Sequence, residues 1–213
     1  MCYADDMTGF FTDRTGIGVH QKRKFFELRN QYTLSDEDGA DAGRVEQSRQ
    51  SALAWLARLG TSLDTMLPTT LEVTDAAGVG VLFLDKPWFS WRVTVRDADG
   101  RTVGTINRKL RLGKPVYLLA DDTGGELGEI RAKDWRSRNF QVTEVDGRPI
   151  GSVTKQWRGL LSEALTDADS YAVTFEPHAS ADQRMLTFAG ALTVDLIQKQ
   201  KDTGGGIADV LST

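Results

Sequence analysis

The chain has 213 residues, 40% hydrophobic and 26% charged, with only 5 prolines. That balance suits one domain with a real core and excludes collagen, coiled coil and disorder. Its formal charge of −4 provides no global basic field, so no nucleic-acid partner is expected. One cysteine, Cys2, and two histidines, His20 and His178, leave no disulfide framework and too few ligands for structural zinc.

The opening Met1–Asp6 has acids where a secretory leader needs positive charge, and no apolar run follows, so export by that route is not expected. Residues 1–19 read as a poorly ordered extension, 20–201 as a single domain and 202–213 as a flexible tail. An early strand is expected around Phe25–Leu28. From there an aliphatic–Gly–x–aliphatic pattern recurs at Val79–Leu82, Val103–Ile106, Leu127–Ile130 and Ile150–Val153, its glycines 24, 24 and 23 residues apart. A looser copy, Ala42–Val45, lies 37 residues before Gly80. Turn residues precede every copy: Asp36–Gly39, Asp75–Gly78, Asp97–Gly100, Asp121–Gly125 and Asp146–Gly147. Alternating runs such as Trp91–Arg96 and Phe140–Val145 stand before the turns, so the pattern predicts five β-hairpins. With Tyr171–Phe175 as a late strand, about a dozen antiparallel strands are expected, and closure into a barrel would remove their edges.

Three stretches carry helical spacing. Ser48–Leu59 ends at Gly60, and Gln156–Leu165 aligns Trp157, Leu160, Leu161, Ala164 and Leu165 on one side. The third begins with Ser180 and Gln183 in capping-box spacing, with Asp182 in its first turn. It is apolar nearly all round through Met185, Leu186, Phe188, Leu192, Val194, Leu196 and Ile197, and Gly204–Gly206 is expected to stop it. The apolar run Met185–Ile197 is too short to cross a bilayer, which takes roughly 20 residues, so it reads as a core helix. Asp195 is its odd residue, with Lys199 one turn on as a partner. The whole pattern predicts a mainly-β fold, a closed antiparallel barrel of about twelve strands around a hydrophobic C-terminal helix.

The stretch Lys155–Phe175 followed by Ala189–Leu196 resembles the C-terminal part of the phospholipid scramblase family. The repeated hairpins and the opening Gln21–Tyr32 resemble its bacterial and LURP-one-related relatives, and the likeness runs over roughly 20–200. The resemblance implies a tubby-like barrel around a buried helix, lipid association and no catalysis. It also implies a calcium-binding segment ahead of the last helix. The cysteine- and proline-rich N-terminal region of eukaryotic members has no counterpart in a chain with one Cys and five Pro.

The calcium candidates are Asp167, Asp169 and Glu176. An EF-hand would also want oxygen, Gly and Glu where Tyr171, Ala172 and His178 stand, so both aspartates read more simply as turn residues that satisfy backbone N–H groups. The basic candidates are Arg108, Lys109, Arg111 and Lys114, followed by Arg131, Lys133, Arg136 and Arg138 around Trp135. In an acidic chain these local surpluses suit anionic headgroups, since each basic residue near a charged leaflet contributes about 1 kcal/mol. A solvated strand face is the plainer alternative. The sequence thus points to a non-enzymatic, monomeric, cytoplasmic domain that binds anionic phospholipid or phosphoinositide, peripheral on the inner plasma membrane. Transbilayer lipid movement and a protein-binding adaptor remain the alternatives. No cofactor is expected; calcium stays in consideration only through the resemblance, and weak or no calcium binding is expected.

Overall fold

A computed structural model describes residues 9–21, 31–47, 68–88, 90–109, 116–132, 139–154 and 170–210, the side chains of 21 and 197–210 excepted. Twelve strands and one long helix follow in chain order. The strands are β1 (Gly16–Gln21), β2 (Gln31–Ser35), β3 (Asp41–Gln47), β4 (Thr69–Asp75), β5 (Gly80–Lys86) and β6 (Arg92–Asp97). They continue as β7 (Thr102–Lys109), β8 (Val116–Ala120), β9 (Glu126–Ala132), β10 (Phe140–Glu144), β11 (Pro149–Thr154) and β12 (Tyr171–Phe175), before α1 (Ala181–Val210). Each strand pairs antiparallel with its sequence neighbours, and β1 pairs with β12 to close the barrel. The expected helices at 48–59 and 156–165 and the expected strand at 25–28 lie outside the described residues.

All five expected hairpins form, and their turns share one chemistry. In four of them the first Asp (Asp36, Asp75, Asp97, Asp121) accepts N–H hydrogen bonds on its carboxylate, and its backbone carbonyl accepts from the glycine three residues on. Those glycines, with Gly147 in the fifth hairpin, sit at φ between 80° and 87°, a left-handed backbone that only glycine adopts cheaply. Just beyond each turn the register slips by one residue. The extra residue is Ala42, Val81, Val103, Leu127 or Ile150, the aliphatic member of the sequence repeat.

The bulges reveal one correction to the repeat. Structurally equivalent positions are Gly43, Leu82, Gly104, Gly128 and Gly151, so the Gly80 copy is displaced by two residues and the looser Gly43 copy is in register. The glycines stand where the next strand presses in. A Cβ on Gly104 would lie 2.2 Å from the Ala120 carbonyl oxygen, and one on Gly128 would lie 2.0 Å from that of Thr143. Gly104 and Gly151 also face α1, which packs on β6, β7, β11 and β12. Leu82 is the fully buried residue that fills the equivalent place on β5, on the side away from those contacts.

The helix is buried on every face from Arg184 to Val194 and threads the barrel's interior. Met185, Leu186, Phe188, Leu192, Val194 and Leu196 are all buried, while the side chain of Ile197 lies outside the described residues. The capping box forms as the spacing predicts: Gln183 N–H donates to Ser180 Oγ and Ser180 N–H donates to Gln183 Oε1. Gly204–Gly206 do not stop the helix, which continues to Val210. Glycine lowers helix stability by about 1 kcal/mol per residue but keeps its N–H and breaks no bond of the ladder. The tail expected from 202 is therefore helical backbone as far as Val210.

The folded unit also begins earlier than residue 20. β1 closes the wall, and a helical turn at 9–12 places Phe10 and Phe11 in the core, with Phe11 against Phe188 at 5.6 Å between ring centroids. Arg184, buried inside this end, donates to the carbonyls of Phe11, Thr12, Arg14, Ala179, Glu176 and Pro177. One guanidinium thus ties the N-terminal turn to the start of α1.

Two substitutions test this packing. Leu192→Asp places a charge without a partner in an enclosed site and is expected to cost more than about 3 kcal/mol, read as loss of a cooperative unfolding transition. Gly128→Ala forces a methyl against the Thr143 carbonyl and should lower stability by roughly 1–3 kcal/mol in urea titration.

Candidate functional site

An up-and-down barrel has two unlike ends. The five Asp–Gly turns, the 9–12 turn and the start of α1 share one end; the longer connections and the departing α1 share the other. The first is heavily cross-linked. Arg101 bridges Asp97 and Asp182, which hold its guanidinium above its ordinary pKa, the hydrogen bond it donates to Asp182 being the largest cause. Gln183 donates to Glu144. A groove of about 590 Å³ there is lined by Phe10, Asp13, Arg14, Asp36, Glu37 and Asp75 among others, an acidic lining that disfavours an anionic ligand. Glu37 is already engaged by the Thr15 hydroxyl and the N–H groups of Thr15 and Gly16.

The opposite end carries the expected basic residues that are described, and it does not join them on one face. Side chains alternate along a strand, and residues paired across strands share a face. Lys109, Val116 and Arg131 are paired and point outward; Arg131 is exposed and ion-paired with Glu129. Arg108 belongs to the inner face with Tyr117. Of the eight proposed headgroup residues, Arg111, Lys114, Lys133, Arg136 and Arg138 lie outside the described residues.

Arg108 has an unusual setting. Its backbone N–H donates to the Trp91 carbonyl, and its guanidinium lies over the Trp91 ring, 4.9 Å from the centroid. Its Nε is buried without a hydrogen-bond partner. Burial raises the pKa of the neighbouring Tyr117 hydroxyl, and the Arg108 charge draws it down. Nearby, Trp88 on the β5–β6 connection is 49% exposed, one of three exposed large hydrophobics among the described residues.

On another part of the same end, Tyr32 donates a 2.7 Å hydrogen bond to Asp195 Oδ2, giving the helix carboxylate a partner on β2. The side chain of Lys199, the partner expected from sequence, lies outside the described residues. Tyr171 Oη is buried with no hydrogen-bond partner. Burial first, then the nearby Asp195 carboxylate and Tyr32, push its pKa well above the ordinary tyrosine range.

Of the calcium candidates, Glu176 is described and directly follows β12. Glu176 N–H donates to the Ile150 carbonyl at the turn end of the barrel. Asp167 and Asp169 lie outside the described residues, and among those described no three His, Cys, Asp or Glu side chains cluster for a metal.

A closed antiparallel barrel with a helix enclosed along its axis defines the class of protein. The chain belongs to the Scramblase family, whose family model matches residues 14–198, from the start of β1 into α1. Among solved structures it is similar to an Arabidopsis thaliana protein determined by X-ray crystallography. The two share 11% identity and a TM-score of 0.53, over 90% of this chain and 94% of that one, which shows a common fold. Comparison with curated proteins finds no match.

The two tyrosines should respond oppositely to removal of a hydroxyl. Tyr32→Phe leaves Asp195 one donor short and is expected to cost about 1–3 kcal/mol. Tyr171→Phe removes a buried group that bonds to nothing and should be neutral or stabilising, both being read from thermal unfolding at neutral pH.

Proposed function

We propose that this protein is a non-catalytic domain that binds anionic phospholipid at a membrane surface. The observation that carries the reading is membership of the Scramblase family across the entire barrel and into its central helix. The barrel's physical character supports surface binding over insertion. Its inner positions are apolar, whereas outward positions such as Arg44, Glu72, Arg96, Glu129 and Gln141 are polar, the inverse of a lipid-spanning barrel. No helix among the described residues is long and apolar enough to cross a membrane. The family name describes lipid movement, but among the described residues outward-facing apolar side chains such as Phe83 and Leu118 stand beside charged ones, which supports binding at the surface over entry into a bilayer.

Co-sedimentation with vesicles containing a fluorescent phospholipid tests this. Bound protein should require anionic lipid and fall with added salt, since exposed charges are screened over about 10 Å at 0.1 M ionic strength. The labelled lipid should stay in its leaflet. Calcium at millimolar concentration should change neither result. Wild-type protein that ignores anionic vesicles rules the reading out, and calcium-stimulated lipid movement replaces it with scrambling.

A further inference from the structure

We propose that the rim formed by Trp88, Trp91 and Arg108 is the edge that docks on an anionic phospholipid bilayer, with Arg108 taking a lipid phosphate and Trp88 resting at headgroup depth. The proposal rests on the lipid-binding reading above and assigns that reading a place on the molecule.

The first observation is the missing acceptor at Arg108. The described arginines elsewhere are bonded or stand in water: Arg96 has Asp85, Arg101 has Asp97 and Asp182, Arg131 has Glu129, and Arg184 has six carbonyls. Among the described residues, Arg108 Nε is the guanidinium nitrogen buried with no acceptor at all. Leaving such a donor unpaired is costly, and with Nε itself enclosed, an acceptor supplied from outside would meet the Nη groups of this half-buried guanidinium. The Trp91 ring covers one face of the guanidinium, with the Nη groups as the donors that remain outside the buried set. A planar fork of N–H donors matches phosphate oxygens bidentately.

The second observation is Trp88. The other exposed large hydrophobics, Val79 and Val145, sit on hairpins at the turn end; Trp88 stands alone among them at the Arg108 end. An indole has an apolar body and a polar N–H, which suits the membrane–water interface better than either phase. Charge supplies the third argument. Arg92 and Lys109, both exposed, flank the rim on the outer face, so this end offers positive charge to an anionic sheet that a net −4 chain otherwise repels. A guanidinium and an exposed indole at one end of the barrel, flanked by cations, fit a phospholipid surface better than a peptide groove.

Vesicles of phosphatidylcholine with phosphatidylserine provide the test, using the full chain and co-sedimentation. Arg108→Gln should lower the partition constant about fivefold, and Arg108→Lys should not restore it, because an ammonium keeps the charge without the fork. Trp88→Ala should lower binding by a comparable factor with the melting temperature unchanged, since Trp88 is exposed. Indole emission should shift to the blue on vesicle addition, and Trp88→Phe should diminish that shift. Arg148→Gln, at the turn end, should bind as wild type. Wild-type binding by both Trp88→Ala and Arg108→Gln overturns the docking edge while the lipid reading stands. No binding by wild type removes the reading and the edge together.

Discussion

A helix that is apolar on every face has no stable place except inside something, and this barrel is built to that requirement. Burial of a single large aliphatic or aromatic side chain contributes about 1.5–3 kcal/mol, and α1 buries such residues all round rather than along one stripe. The wall must then approach the helix from all sides, which is where glycine enters. Gly104 and Gly151 lie opposite Leu186 and Thr187, and Gly190 on the helix itself receives Ile130, whose Cδ1 would lie 2.2 Å from a Cβ there. Small residues on both partners bring backbone and helix together. Closure of the strand ring follows, because an open edge would leave the helix wet and the strand N–H groups unpaired.

The ends of the assembly reflect the same constraint. A helix start is a row of backbone donors without intrahelical partners, and the Ser180–Gln183 box satisfies two of them. The surrounding carbonyls converge on Arg184 instead of on water. Asp195, at the other end, is tolerated because Tyr32 reaches it across the interior. Arg184 at one end and the Tyr32–Asp195 pair at the other tie the helix to its surroundings.

Local turn chemistry and period-two alternation made the hairpins readable before any coordinates: Asp36–Gly39 and its counterparts announce five turns, and Tyr171–Phe175 announces the last strand. The repeat's register was harder to read, because Val79–Gly80 mimics the motif while the bulge is at Val81. A residue's place relative to a bulge depends on cross-strand pairing, which a linear pattern does not contain. The first strand was hidden for another reason. Gly16–Gln21 carries two glycines and a histidine and acquires its strand character from pairing with β12, far away in sequence. Likewise, Phe10 and Phe11 are two aromatics in a polar stretch until Arg184 gathers the carbonyls of Phe11, Thr12 and Arg14.

The site shows the same division. Basic residues adjacent in sequence looked like one patch, yet Arg108 and Lys109 face opposite sides of the sheet, as neighbours on a strand must. Trp88 and Trp91 drew no attention as ligands because their meaning depends on which strand lies beside them. An arginine pressed on an indole is a tertiary fact. The one clue available in the sequence was the aromatic density of Pro87–Trp91 next to a predicted strand.

The two rims of the barrel differ in how much chain they spend. Connections on the Asp–Gly side are clipped to a turn, while those opposite run to 9, 21, 5, 6, 7 and 16 residues. Lengthening a surface loop costs only about 0.6 kcal/mol per doubling, whereas an insertion into an Asp–Gly turn loses its carboxylate and glycine geometry outright. New segments can therefore be added at one rim without disturbing the helix's enclosure at the other. The fold behaves as a chassis with a sealed base and an open rack, on which specificity can be exchanged while the core stays as it is.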